Sequence, residues 1–121
     1  MNLTFDEAIE NHRKMWHWIA DETEKRNRIV EKYEYFEENN LDECRCECYC
    51  CEYAFHACKY VTEACLSCPI KWEKQSVFIR CHKDGTPYDK WKLCKDFEDW
   101  KSAAKYAREI ANLPARDEVR Q

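Results

Sequence analysis

The sequence predicts a mainly α-helical chain: two long terminal helices packed together, with a cysteine-rich segment, irregular or carrying a short β element, between them. Three observations predict it. Turn-forming residues are scarce, with one Gly and three Pro in 121 residues, too few for the repeated tight turns of a β-sandwich or barrel. Apolar residues recur at helical spacing near both ends. Ten cysteines are present, eight of them between Cys44 and Cys68. A mass of 14.8 kDa fits one domain spanning 1–121. Its expected parts are a helical region 1–40, a cysteine-rich segment 44–95, a helix 96–113 and a frayed tail 114–121.

The first helix is expected over about 4–27. Thr4 followed by Glu7 is a capping box. Phe5, Ile9, His12, Trp16 and Ile19 then form one apolar line. Asp6, Glu7 and Glu10 suit the positive end of the helix dipole, and Lys25, Arg26 and Arg28 the other. The helix continues or restarts through 29–39, and Asn39-Asn40 is the expected stop. Trp16 and Trp18 differ by two positions and cannot share a face. Trp16 continues the line into the core, so Trp18 is expected at a surface suited to a partner, with Tyr33, Tyr35 and Phe36 the next candidates. His12 and His17 have no nucleophile or carboxylate at a diagnostic spacing and read as core or surface residues.

Within "CRCECYCCEYAFHACKYVTEACLSCP" (44–69), Cys48-x2-Cys51 and Cys65-x2-Cys68 are two pairs with 13 residues between them. Each C-x2-C turn presents two thiolates to one ion, and two such turns close a tetrahedron around Zn²⁺. No secretion signal opens the chain and no stretch approaches the roughly 18 apolar residues of a membrane span. The expectation is therefore a cytoplasmic protein, where disulfides do not persist and dense cysteine points to metal. The middle segment is then zinc-stapled. Cys44, Cys46 and Cys50 flank the first pair and are alternatives to its members. Cys81 follows Cys68 after 12 residues and also suits a fourth ligand. His56 and His82 are possible nitrogen ligands, though a surface role is the simpler reading of each. Cys58 and Cys94 read as small buried hydrophobes.

Residues 69–95 hold 7 Lys+Arg against 3 Asp+Glu, whereas residues 1–68 hold 8 against 15. In the basic stretch "SVFIR" (76–80) favours a short strand, and Asp84-Gly85 marks a turn. Lysines there interleave with Trp72, Phe78, Tyr88 and Trp91. Such a mixture over 71–92 suits single-stranded nucleic acid, or else a solvated loop anchored by its aromatic rings. In the last helix Phe97, Trp100, Ala104, Ala107 and Ala111 alternate steps of three and four, with Ala103 and Ile110 beside them. Pro114 ends it. Its alanines permit close approach to the first helix.

Taken in order, "HRKMWHWIA", Cys48-x2-Cys51 with "EYA", Cys65-x2-Cys68 with "PIKW", Cys81, "PYDKW" and "REIANLP" resemble small cysteine-rich proteins encoded by phages and prophages of Gram-positive bacteria. The resemblance implies that Cys48, Cys51, Cys65, Cys68 and Cys81 are the recurring, metal-binding cysteines. It also implies a protein acting in the bacterial host cytoplasm.

No glycine-rich phosphate loop, nucleophile–base arrangement or zinc deaminase signature is present. Four thiolates close a zinc site, while catalytic zinc keeps an open position. The expected function is therefore a non-enzymatic, zinc-stapled interaction module. Its partner is expected to be a bacterial host protein, for example a defence protein that it inhibits or redirects. The alternative is a zinc module that binds single-stranded nucleic acid through 71–92.

Overall fold

The computed structural model describes residues 2–57, 67–72 and 80–120. Helix α1 spans Phe5–Arg26, with both arms of the Thr4–Glu7 capping box formed and Asn27 closing it in the left-handed region (φ 54°). Glycine is favoured there, and Asn is among the few other residues that adopt it readily. Its buried face includes Phe5, Ile9, His12, Met15, Trp16 and Ile19, the line expected from spacing. Helix α2 (Lys32–Glu38) is a restart, not a continuation. The buried Thr23 hydroxyl accepts the Val30 N–H at 3.2 Å and closes the connection between the two helices. Asn39 then caps α2, as the sequence suggests.

The last helix differs from expectation. The segment forms two helices, α4 (Pro87–Asp96) and α5 (Trp100–Ala111). Phe97 is the C-cap of α4 and is 80% exposed, so it does not belong to the buried stripe. Glu98 turns left-handed (φ 52°), and Asp99 begins a new helix by accepting the Ser102 N–H. That reversal puts Phe97 on the outside. Trp100, at the start of α5, is only half-buried, but Ala103, Ala104, Ala107, Ile110 and Ala111 are buried, and α5 packs along α1. His12 Nε2 lies 3.3 Å from the Ile110 carbonyl, and Arg13 donates to the Leu113 carbonyl at 3.1 Å. Arg108 reaches back to Asp21 and Glu24.

Helix α4 replaces part of what the sequence suggested would be loop or β structure. Thr86 caps it, Pro87 occupies its first turn, and Asp89 and Lys95 suit its two ends. Trp91 is fully buried and meets Trp16 edge-to-face at 4.9 Å. The Asp84-Gly85 turn is present, with Gly85 at φ 90°. Of the expected strand, residues 76–79 lie outside the described residues. Among the described residues there is no strand, and one isolated bridge joins Ile70 to Ala115.

The first cysteine pair also lies on a helix, α3 (Tyr49–Ala57), so this part of the middle segment is helical where irregular or β structure was expected. Cys46 and Glu47 enter it with left-handed backbone (φ 59° and 51°), which costs non-glycine residues roughly 1 kcal/mol each. The tail expected to fray is held instead. Arg116 N–H donates to the Pro69 carbonyl at 2.7 Å, and Tyr53 donates to the Val119 carbonyl at 2.9 Å. Arg120 pairs with Asp6 at 2.8 Å. Among the described residues, no helix is long and apolar enough to cross a membrane.

Candidate functional site

Sulfurs from separate parts of the chain meet beneath α1. Cys50 is fully buried, and its thiol lies near enough to Cys48 and Cys68 to interact with both. Cys51 makes a further thiol contact with Cys48. Beside them a cavity of about 70 Å³ is lined by Cys46, Cys48, Cys51 and Cys81, with Lys32, Glu47 and the aromatic rings of Trp16, Trp72 and Tyr88 on its walls. No disulfide joins the described cysteines. Among the described residues, no group of three or more Cys, His, Asp or Glu stands in a geometry ready to hold a metal ion. Cys65, one of the expected ligands, and Cys58 lie outside the described residues.

Side chains from other positions hold the backbone at several of these cysteines. Arg116, from the tail, donates to the Cys68 carbonyl at 3.0 Å. The buried Thr86 hydroxyl donates to the Cys81 carbonyl at 2.5 Å while accepting the Asp89 N–H at 3.2 Å. One side chain therefore starts α4 and fixes Cys81. Buried Glu52 accepts the Arg45 N–H at 3.0 Å, which orders the approach to Cys46 and Cys48. Its other oxygen pairs with His56 Nε2 at 2.9 Å, so His56 is engaged as a partner of Glu52. His82 Nδ1 lies 3.8 Å from the Cys81 sulfur.

The sulfurs shift one another. The neighbouring Cys50 and Cys51 thiols, and then His12, draw the Cys48 thiol well below its ordinary pKa despite burial. Its neighbours move the other way. Cys50 is pushed up by burial and by Cys48 and Cys68 beside it, and Cys51 by Cys48 and by burial. Cys68 is lowered, chiefly by the Cys50 thiol. Trp72 lies beside Cys68 and favours its thiolate, yet the buried indole N–H has no partner at full hydrogen-bond geometry. Burial, aided by Cys48, pushes Cys44 up to about 12. Cys48 and Cys68 are thus the sulfurs whose surroundings favour the thiolate, and Cys50 and Cys51 those held as thiols. Cys94 is buried away from these sulfurs, on α4, and behaves as the small hydrophobe expected.

The residues expected to meet a partner divide in two. Tyr35 and Phe36 belong to the core, where Phe36 packs against Tyr49 at 5.7 Å. Neither offers a surface, because α2 turns that face inward. Tyr33 is 47% exposed. Trp18 is half-buried, edge-on to Tyr35 at 5.4 Å with the Arg26 guanidinium 5.7 Å from its ring centre. In the basic stretch Trp72 and Trp91 are buried, so neither is free to stack on a base. Phe78 lies outside the described residues.

Spacing named Cys46 as an alternative ligand but missed Lys32, which comes from α2, remote from every cysteine pair, and lines the same cavity. A larger open groove of about 1070 Å³ along α5 includes Trp100, Lys101, Lys105 and Arg108 but no thiol. Compared with known proteins, the chain matches no family model, no curated protein and no solved structure.

Proposed function

We propose that this chain is a zinc-stapled protein-interaction module without catalytic activity. The observation that carries the reading is the gathering of Cys46, Cys48, Cys50, Cys51, Cys68 and Cys81 around one buried cluster and its adjoining cavity. These thiols come from stretches far apart in sequence. A thiol-rich set is a soft donor set and suits zinc. Closed by thiolates, such a centre contributes folding free energy and leaves no position for a substrate. On the resemblance noted above, the chain is a phage protein in a bacterial host cytoplasm. It binds a host protein, such as a defence factor, and inhibits or redirects it. Tyr33 and the outer edge of Trp18 are the anchors that remain accessible.

Elemental analysis of protein purified without added metal tests the first half. Close to one zinc per chain supports it, and a folded, metal-free protein with oxidised cysteines overturns it. Capture from bacterial lysate with wild type and Tyr33→Ala tests the second half. A host protein retained by wild type and released by the variant, with zinc content unchanged, supports the reading. The alternative, single-stranded nucleic acid binding through 71–92, draws on the lysines of α4 more than on its buried rings. Tight binding to single strands at physiological salt, with no protein captured, would replace the first reading by this one.

A further inference from the structure

Four large apolar side chains stand exposed among the described residues, and two of them, Tyr33 (47%) and Leu41 (44%), belong to α2 and the turn after it. Residues 33–44 hold five carboxylates and no Lys or Arg. Glu34 is buried against Arg28, and Glu38 pairs with Arg26. Glu37, Asp42 and Glu43 are exposed, and none of them has an ion-pair partner among the described residues. The neighbouring cations turn elsewhere. Lys32 donates to the Tyr88 hydroxyl at 2.9 Å and to the Cys46 carbonyl at 3.2 Å, and the Arg45 guanidinium lies 4.0 Å from the Phe55 ring centre. The surface is also preformed. Asn40 turns left-handed (φ 57°), its N–H reaches the Glu37 carbonyl at 3.3 Å, and the Leu41 N–H reaches the Phe36 carbonyl at 2.9 Å. That pattern is a Schellman turn, which fixes Leu41 against the last turn of α2.

We propose that this face docks a basic protein segment, whose apolar side chain rests on Tyr33 and Leu41 while Lys or Arg around it pair with Glu37, Asp42 and Glu43. The proposal rests on the interaction reading, in which Tyr33 is an anchor, and it gives the partner its chemistry. Charge complementarity chooses the partner. Three unneutralised carboxylates beside two apolar side chains repel an acidic surface or a phosphate backbone and attract cations. Arg suits them best, because its planar fork meets a carboxylate with two hydrogen bonds. The other exposed apolar pair, Leu93 and Phe97, lacks this uniform sign. Lys92 adjoins Leu93, whereas Asp96 and Glu98 adjoin Phe97. That pair is therefore the internal comparison.

The probe is a fluorescein-labelled amphipathic peptide of Lys and Leu, read by anisotropy against the reduced full-length protein. The same peptide with Glu for Lys is the control. Wild type is expected to bind the Lys peptide and not the Glu peptide, and to lose affinity as salt rises. Neutralising the rim in Glu37→Gln/Asp42→Asn/Glu43→Gln should weaken binding by about ten-fold at low salt and remove most of the salt dependence. Tyr33→Ala should weaken it by about ten-fold and leave the salt dependence in place. Asp96→Asn/Glu98→Gln should change neither. Equal affinity in wild type and the rim variant overturns the proposal, as does a larger loss in Asp96→Asn/Glu98→Gln. Should the rim variant fail to fold, Glu37→Gln alone decides: a loss of about three-fold supports the proposal, and an unchanged affinity overturns it. In the lysate capture, a host protein released by Tyr33→Ala but kept by the rim variant overturns the basic partner while the interaction reading stands. Absence of both captured protein and peptide binding overturns both.

Discussion

Along the α1–α5 seam, Ala104, Ala107 and Ala111 bring two helices together through hydrocarbon contact, and Arg108 ties the edge to Asp21 and Glu24. Around Cys48, by contrast, separate chain segments meet through sulfur, and buried polar groups hold each approach: Glu52, Arg116 and Thr86. The seam draws on apolar burial, which is non-directional and tolerates small shifts. The thiol cluster draws on directional contacts that lose their value when one member moves. A chain of this size has limited core to spare, and the comparison shows where it uses hydrocarbon and where it uses chemistry.

The largest expected effect separates the two regions outright. Under the proposed function, removing metal with a chelator withdraws on the order of 10 kcal/mol from the thiol region. Hydrogen exchange should then accelerate in α3 while the α1–α5 seam keeps its protection. Uniform loss across both regions would show a single cooperative unit, and no change at all would show that no metal supports the fold.

Next in size is a charge placed in the seam. Ala107→Asp buries a carboxylate with no partner at a fully buried position, and should cost about 3–5 kcal/mol in chemical denaturation. Its neighbour Lys105 is exposed, so Lys105→Glu should change stability by less than about 0.5 kcal/mol. Equal effects would mean that α5 is not packed as described.

A smaller effect sharpens the thiol side. Thr86→Ala removes the α4 cap and leaves the Cys81 carbonyl without its hydroxyl donor, for a loss of about 1–2 kcal/mol. Thr86→Ser keeps the hydroxyl and should recover most of it. If Ser and Ala behave alike in thermal melts, the methyl group carries the contribution and the link to Cys81 does not.

The smallest effect lies where the two regions touch. His12 is buried on α1, bonded to the Ile110 carbonyl and close enough to Cys48 for the two to interact. Burial lowers its pKa below the ordinary 6.5 despite the opposing pull of Cys48. The folded ring therefore stays neutral at a pH where the unfolded chain takes up a proton. Its stabilising contribution is complete above about pH 6.5 and declines as pH falls from there toward the folded value. The slope is at most about 1.4 kcal/mol per pH unit. His12→Gln should flatten stability between pH 5 and 7, and an unchanged slope in that variant would assign the dependence to other groups.

Much of this molecule was legible in its residues. The Thr4–Glu7 box, the Phe5–Ile19 line, the Ala103–Ala111 stripe and the Asn39 stop are local signals, because capping and helical periodicity act within a few residues. Mutual packing of the first and last helices followed from their apolar faces. Helix α4 was legible too, in Thr86-Pro87 with Asp89 three residues after the cap, but its lysines drew the reading toward a loop. Other features were decided by the tertiary structure alone. Phe97 lies outside because the chain reverses at Glu98, and Tyr35 and Phe36 lie inside because α2 folds back under α1. The tail is held because Pro69, Tyr53 and Asp6 happen to meet it. Cys-x2-Cys spacing describes how neighbouring thiols along the chain can converge. Cys46 and Cys81 stood beside those pairs as candidates, but that they share one cavity with Lys32 is decided by contacts spanning most of the sequence, and such contacts leave no periodic trace in it.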